Sequence, residues 1–314
     1  MSNALQDLEL ALQQRIGEVV LGVSPAVRAL CIAVVARGHV LVQGVPGLGK
    51  TLLSKSLAGA LGGTYKRIQG TSDLMPTDIT GTHLFDAAQN AFVFRPGPLF
   101  ADVVLFDEVN RAGPRTQSAL LEAMEERQVS VDRALFELPA DFLVIATQNP
   151  REFEGTYPLP ESQLDRFMLR LELSYPALEA ETQVLMRYTG VAAEPARAVS
   201  SAVPAGLLQA ARGAAEQVNV SPELCAYVLA IAKATREHAQ LSLGLSTRGA
   251  LALLRAARIF AGIEGAEFVA ADDVKAVVPM VLPHRLMLTG DALLADVTET
   301  DVVSRILEQV PAPR

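Results

Sequence analysis

The chain has 314 residues, half of them apolar, no Trp and a net charge of −8. That length supports two domains with a sizeable core, and no apolar run reaches the roughly 18 residues that a membrane span needs. The acidic balance disfavours tight non-specific binding to a nucleic-acid backbone, and the start, Met1-Ser-Asn-Ala-Leu-Gln-Asp, lacks the basic and apolar segments of a signal peptide, so a cytoplasmic protein is expected.

In chain order, Leu8–Val20 and Ser24–Val35 have helical character, with Ser24 and Pro25 at cap and first-turn positions. Cys31, here, and Cys225 later sit in apolar settings without the paired spacing of a zinc site, which predicts inert thiols in a reducing compartment. A short strand is expected at His39–Gln43. It runs into Gly44, Val45, Pro46, Gly47, Leu48, Gly49, Lys50 and Thr51, which match the phosphate-loop pattern G-x-x-x-x-G-K-[ST] at every position, and a helix follows from Leu52. Glycines let such a loop approach phosphates closely, the helix N-terminus offers free N–H groups and a positive dipole end, and Lys50 adds a mobile charge. Thr51 is placed to hold Mg²⁺ through its hydroxyl.

Further short apolar runs follow at Tyr65–Gln69, Val103–Phe106, Phe142–Thr147 and Leu169–Leu173, which predicts an α/β fold with a largely parallel sheet. Between them, Thr82–Phe85 and Ala91–Phe94 flank the turn-prone Asp86–Asn90 within the excursion Gly70–Pro98, and Gln128–Leu138 has a similar alternation. Both segments are expected to be hairpins. The strand at Val103 ends in Asp107 and Glu108. Strand ends of an open parallel sheet face the ligand crevice, so Asp107 is placed to hold Mg²⁺ and Glu108 to polarise a water that attacks the γ-phosphate. The next strand ends in Asn149, whose amide orients that water, touches the γ-phosphate, or forms a plain Asn-Pro turn. Arg166 precedes the last strand, either neutralising transition-state charge at a neighbour's nucleotide or forming a local ion pair with Asp165 or at a helix end.

After a stretch at Val191–Ala205, rich in Ala, Pro and Ser and expected to be a linker, the sequence becomes wholly helical. Ser221 and Ser246 have N-cap character. Arg248 then falls in the first turn of its helix, where a cation opposes the helix dipole, a conflict that an anionic ligand would remove.

Taken together, the phosphate loop, the Asp-Glu strand, the Asn-tipped strand, the late arginine and the helical end opening on Ser-Thr-Arg resemble an AAA+ ATPase. More narrowly, Phe106-Asp-Glu-Val-Asn-Arg111, Gln117-Ser-Ala-Leu-Leu-Glu-Ala-Met-Glu125, Ala146-Thr-Gln-Asn-Pro150 and Glu154-Gly-Thr-Tyr-Pro-Leu-Pro-Glu-Ser-Gln-Leu-Asp-Arg-Phe167 resemble the MoxR family, across nearly the whole chain. The resemblance implies a P-loop NTPase sheet of strand order 5-1-4-3-2 in residues 1–203, with a helix-2 insert at about 70–98 and a pre-sensor hairpin at about 128–138. It further implies an all-helical lid in residues 204–314, and a homo-oligomeric, hexameric ring that binds ATP and Mg²⁺ between subunits. By the same match Lys50 and Thr51 form the Walker A pair and Asp107 and Glu108 the Walker B pair, Leu52 follows the loop, Asn149 is the first sensor, Arg166 the arginine finger and Arg248 the second sensor. Relatives act as chaperone-like factors in metal insertion or complex assembly on client proteins, often alongside proteins with von Willebrand factor A domains. At the start, Leu21-Gly22-Val23-Ser24 stands in place of the family's usual Gly-Gln pair, so the preference for adenine comes from the resemblance and not from local chemistry. Two other functions remain open on the residues alone: a nucleic-acid motor of the same superfamily, and a nucleotide-gated scaffold that does not hydrolyse.

Overall fold

The structure is a computed structural model that describes residues 3–45, 47–132, 134–148, 155–187 and 199–313. Among the described residues, five strands form the central sheet: β1 His39–Gln43, β2 Tyr65–Gln69, β3 Val103–Asp107, β4 Leu143–Gln148 and β5 Phe167–Glu172. Their spatial order is β2-β3-β4-β1-β5, all parallel, which is the expected 5-1-4-3-2. Alternate residues of the central strands β1, β3 and β4 enter different cores. Val40, Val42, Leu105 and Ile145 join the cluster on one face, and Leu41, Phe106, Val144 and Ala146 the cluster on the other. Burial on both faces is why these strands read as unbroken apolar runs. β2, at the edge, is instead half-exposed and carries Lys66 and Arg67, charges that discourage pairing with another sheet.

The first helix spans Ala4–Gly17 rather than Leu8–Val20. Asn3 caps it, its side chain accepting from the N–H groups of Leu5 and Gln6 while the Gln6 side chain accepts from Asn3 N–H. This reciprocal cap sets the helix start one turn earlier than the apolar period indicated. Leu5, Leu8, Leu12 and Ile16 are fully buried. They belong to a cluster that continues from the sheet face through Leu30 and Ile32 into Leu253, Val277 and Val302 of the C-terminal helices. The C-terminal part is therefore seated on the α/β part through a shared apolar core. Polar contacts pin the same boundary: Arg212 donates to Val34 O at 2.9 Å and Arg28 to Glu264 at 2.6 Å.

Both expected hairpins form, Gly81–Asp86 with Ala91–Pro96 and Gln128–Val131 with Ala134–Glu137. They also pack on one another, Phe94 stacked on Phe136 at 3.8 Å and His83 Nδ1 at 2.8 Å from Asp132. The C-terminal part holds long helices at Leu207–Gln217, Pro222–Glu237, Thr247–Ile263, Ala271–Val281 and Glu299–Gln309, but it is not wholly helical. Leu241–Leu243 pairs antiparallel with Met287–Leu288. These strands are too short for any sequence period, and they exist because Leu241 and Leu288 are buried at the helix ends. Of the expected linker, residues 191–198 lie outside the described residues, and Val203 N–H donates to Ala60 O at 2.7 Å, tying its end to the α/β part. No helix of the described residues is long and apolar enough to cross a membrane.

At the start of β1, His39 is fixed as a neutral ring. Its Nδ1 accepts from Val144 N–H at 2.9 Å, leaving Nε2–H for Met124 O at 3.1 Å. Burial pushes its pKa from 6.5 down to about 4, and burial also places His284 well below the usual value. A pKa depressed in the folded state means that stability is fully present above about pH 6.5 and, for His39, is lost as pH falls toward 4, by about 1.4 kcal/mol per pH unit; His284 acts in the same direction. Urea unfolding across that range is expected to show this loss, and His39→Asn to remove one proton's share of the slope. An unaltered slope would contradict a buried neutral His39.

Candidate active site

β1 ends at Gln43, and the chain turns through the glycine loop into the helix Lys50–Leu61; Pro46 lies outside the described residues. Gly47 and Gly49 hold φ of 87° and 76°, and a methyl group on either would meet nothing within 4 Å. These positions need glycine for their backbone, and the loop opens on space of the kind a phosphate fills. Among the described residues no side chain caps the helix, whose N-terminal end is the kind of place where an anion binds. Lys50 Nζ donates to Gly44 O at 2.8 Å, lying back across the loop. Val45, Leu48, Thr51 and Leu52 are half-buried around it.

Beside the loop is a cavity of about 990 Å³, lined among others by Val20, Gly22, Leu48, Leu52, Leu173 and Met280. Its size is at the upper end of small-molecule pockets, and its mainly apolar wall suits an aromatic base next to the phosphates. The segment Leu21-Gly22-Val23, where this chain departs from the family pattern, is part of that wall.

At the tip of β3 the two carboxylates are held differently. Asp107 accepts from Thr147 Oγ1 at 2.5 Å and from Arg67 Nη2 at 2.6 Å. Glu108 adopts φ 55° and ψ 53°, a left-handed conformation that costs a non-glycine residue roughly 1 to 3 kcal/mol. Thr147 Oγ1 accepts from Glu108 N–H at 2.9 Å, and the Glu108 carboxylate takes a hydrogen bond from Gln69 Nε2 at 2.9 Å. Gly70, next to Gln69, donates its N–H to Asp107 O at 2.7 Å, and a Cβ there would lie 2.2 Å from Glu108 O. Only glycine permits this approach, which aims Glu108 away from the strand line. Arg67, Gln69 and Thr147 escaped the sequence reading. The available signal was their register: Gln69 pairs with Asp107, and all three are polar residues toward the C-terminal ends of adjacent parallel strands.

Thr51 and Asp107 suit a hard cation such as Mg²⁺, which takes one or two protein oxygens and fills its shell with water and phosphate. The Arg67 guanidinium already sits where positive charge is wanted at Asp107. Among the described residues no group of three or more His, Cys, Asp or Glu side chains is placed to hold a metal alone. Asn149 lies outside the described residues, immediately after Gln148, the last residue of β4.

Arg166 and Arg248 are together, and apart from the loop. Arg166 immediately precedes β5, whose first residue Phe167 pairs with His39, the first residue of β1, whereas Lys50 lies beyond the last. The rise of β1 alone separates them by at least about 13 Å. Arg166 Nη2 is 3.0 Å from Glu125 Oε2, and Arg248 binds the other oxygen of the same carboxylate. The neighbouring Asp165 accepts from Ser246 Oγ at 2.7 Å and from Arg285 Nε at 2.8 Å. Arg285 is almost fully buried; burial lowers its pKa and Asp165 opposes that shift. Removing one partner of such a pair typically costs about 3 to 5 kcal/mol, so the segment carrying Arg166 is firmly clamped to the C-terminal helices.

A family model described as ATPase family associated with various cellular activities (AAA) matches residues 39–169, and one described as AAA lid domain matches residues 233–306. The chain is 40% identical to the chaperone MoxR1 of Mycobacterium tuberculosis, over 94% of this chain and 80% of that protein. It is 36% identical to protein MoxR of Paracoccus denitrificans, over 86% of each. A crystal structure of a candidate ATPase from Cytophaga hutchinsonii superposes with a TM-score of 0.89 at 34% identity, covering 99% of this chain and 96% of that one.

If the loop cradles phosphates, Lys50→Ala removes their mobile counter-ion, and nucleotide affinity is expected to fall by at least about tenfold. Titration with a fluorescent ATP analogue measures it. Affinity equal to that of the unaltered protein would exclude the loop as the binding site.

Proposed function

The chain belongs to the MoxR family of AAA+ ATPases, and we propose that it hydrolyses ATP at sites shared between subunits of a homo-oligomeric, hexameric ring, using the cycle to remodel or mature a client protein. One observation carries the shared site: Arg166 and Arg248 are held side by side, with a strand's length between them and the loop of their own subunit. A triphosphate on Lys50 is out of their reach unless it belongs to a neighbour. Arg248 thus acts in trans, together with Arg166.

In this reading the loop N–H groups and Lys50 bind the β- and γ-phosphates, while the wall from Val20 to Leu173 encloses the base. Thr51 and Asp107 hold Mg²⁺, which when bound neutralises phosphate oxygens. Glu108, turned out of the strand and oriented by Gln69, accepts a proton as water attacks the γ-phosphorus. The bond from that phosphorus to the bridging oxygen breaks, and ADP departs with the electron pair. Asn149 helps to orient the water. Arg166 and Arg248 of the next subunit neutralise the charge that develops, a contribution worth roughly 10³ to 10⁵ in rate where one arginine does it.

The output follows from the family and from the hairpins. One similar protein is named a chaperone, and chaperone-like action on a client, including metal insertion or work alongside a von Willebrand factor A domain protein, is the family pattern. The paired hairpins leave Leu84, Phe85, Phe92 and Leu135 more than half exposed, apolar contacts of the kind that partner surfaces use. Residues 1–203 are taken as the nucleotide-binding unit and 204–314 as the lid, in a cytoplasmic protein.

ATPase activity per subunit is expected to rise with protein concentration and level off as rings form, and Arg166→Ala subunits to depress the activity of unaltered partners while still binding ATP. Activity independent of dilution would refute catalysis in trans. Shortening Ala87–Asn90 to a tight turn is expected to spare folding and basal hydrolysis while abolishing stimulation by a client. Full client stimulation after trimming would show the hairpin tip to be a passive loop.

A further inference from the structure

Two helices each carry a charge of the unfavourable sign near one end. Glu125 is in the last turn of Pro114–Glu126, and Arg248 in the first turn of Thr247–Ile263. They offset one another, since Arg248 donates to Glu125 Oε1 while Arg166 Nη2 reaches Glu125 Oε2 at 3.0 Å. The contact is no buried core pair: the side chains of Arg248, Arg166 and Glu125 are 48%, 30% and 32% exposed. They line a cavity of about 470 Å³ to which Arg37, Arg127 and Arg255 also contribute. Among its described lining residues the acids are Glu125 and Asp165, and Asp165 is engaged by Arg285. Positive charge is therefore in surplus within this cavity, whereas Glu122 and Glu126 lie with Glu125 and Arg166 along a neighbouring hollow. Arg166 Nε is also buried without a hydrogen-bond partner, so its guanidinium has a donor that Glu125 leaves unused. A cationic cavity with a spare donor suits an anion with more charge and more oxygens than one carboxylate.

We propose that Glu125 is an internal stand-in for the phosphate of a neighbouring subunit. In the free subunit it keeps Arg166 and Arg248 together as a preformed pair, and it yields them when the neighbour's triphosphate arrives. Glu125 is thus a positioning residue that also restrains assembly, because its charge must be displaced before the phosphate can bind both arginines. The proposal rests on the shared site described above.

Glu125→Gln keeps the shape and one acceptor oxygen but removes the charge. The test is the subunit concentration at half-maximal ATPase activity, with ATP-dependent association followed in parallel by sedimentation. The Gln variant is expected to lower both midpoints by about threefold or more. A merely structural Glu125 would move them the other way, through loss of native protein. In an Arg166→Ala, Arg248→Ala background the same change is expected to shift the association midpoint far less. Should the Gln variant not fold, Glu125→Ala is measured in the same way, with the same expected direction. Midpoints that stay put or rise in a folded variant, beside an unaltered protein that does show concentration dependence, overturn the role of Glu125 alone. An unaltered protein with flat activity on dilution overturns the shared site, and the role of Glu125 with it.

Discussion

The length of a five-residue parallel strand separates the charges that the proposed phosphoryl transfer has to bring together. β1 delivers its C-terminal end to the phosphate loop, and its N-terminal end lies beside Phe167 and hence beside Arg166. Parallel pairing makes this separation rigid, because neither end can move toward the other without breaking the register of β1 with β4 and β5. In the proposed function, a subunit built this way holds half of a site at each end of its sheet. The chemistry proposed here then needs a second copy, and assembly becomes a condition for hydrolysis.

The half-site at the arginine end is bound to the C-terminal helices by Asp165. That carboxylate receives both Arg285 and Ser246, and Ser246 in turn caps the helix that carries Arg248 by accepting from Gly249 N–H at 2.9 Å. Any rotation of the lid therefore moves Arg248 and bears directly on the segment that carries Arg166. The other end of the lid reaches the cavity beside the loop, which Pro279 and Met280 line together with Gly47, Leu48 and Gly49. In the proposed ring, this connection links the wall that would enclose the base of one site to the arginines offered to the next.

At the loop end, order comes from polar groups at strand tips rather than from packing. Thr147 donates to Asp107 and accepts from Glu108 N–H, so a single hydroxyl fixes both acidic residues relative to β4. The left-handed backbone at Glu108 is sustained by this pair of contacts and by the absence of a side chain at Gly70. Local strain of this kind persists where neighbours over-determine it.

By itself the sequence determined those features whose signal is local. The glycine spacing and Lys50 specify a phosphate loop because a backbone that wraps phosphates tolerates few alternatives, and the apolar runs specify strands because burial on both faces leaves no polar positions. The two hairpins were legible because alternating apolar residues flank turn-prone ones. The start of the first helix was set by the side chains of Asn3 and Gln6, a signal present in the sequence but weaker than the apolar period. Tertiary structure alone decided which distant residues meet. Glu125 lies 41 residues before Arg166 and 123 before Arg248, and the salt bridges among them exist only because the sheet and the lid carry three separate elements to one point. Arg67, Gln69 and Thr147 likewise acquire their partners from strand register, and Arg285 from the docking of the lid. Long-range pairing of charges has no periodicity to announce it, since its geometry is set by the packed backbone and not by neighbours along the chain.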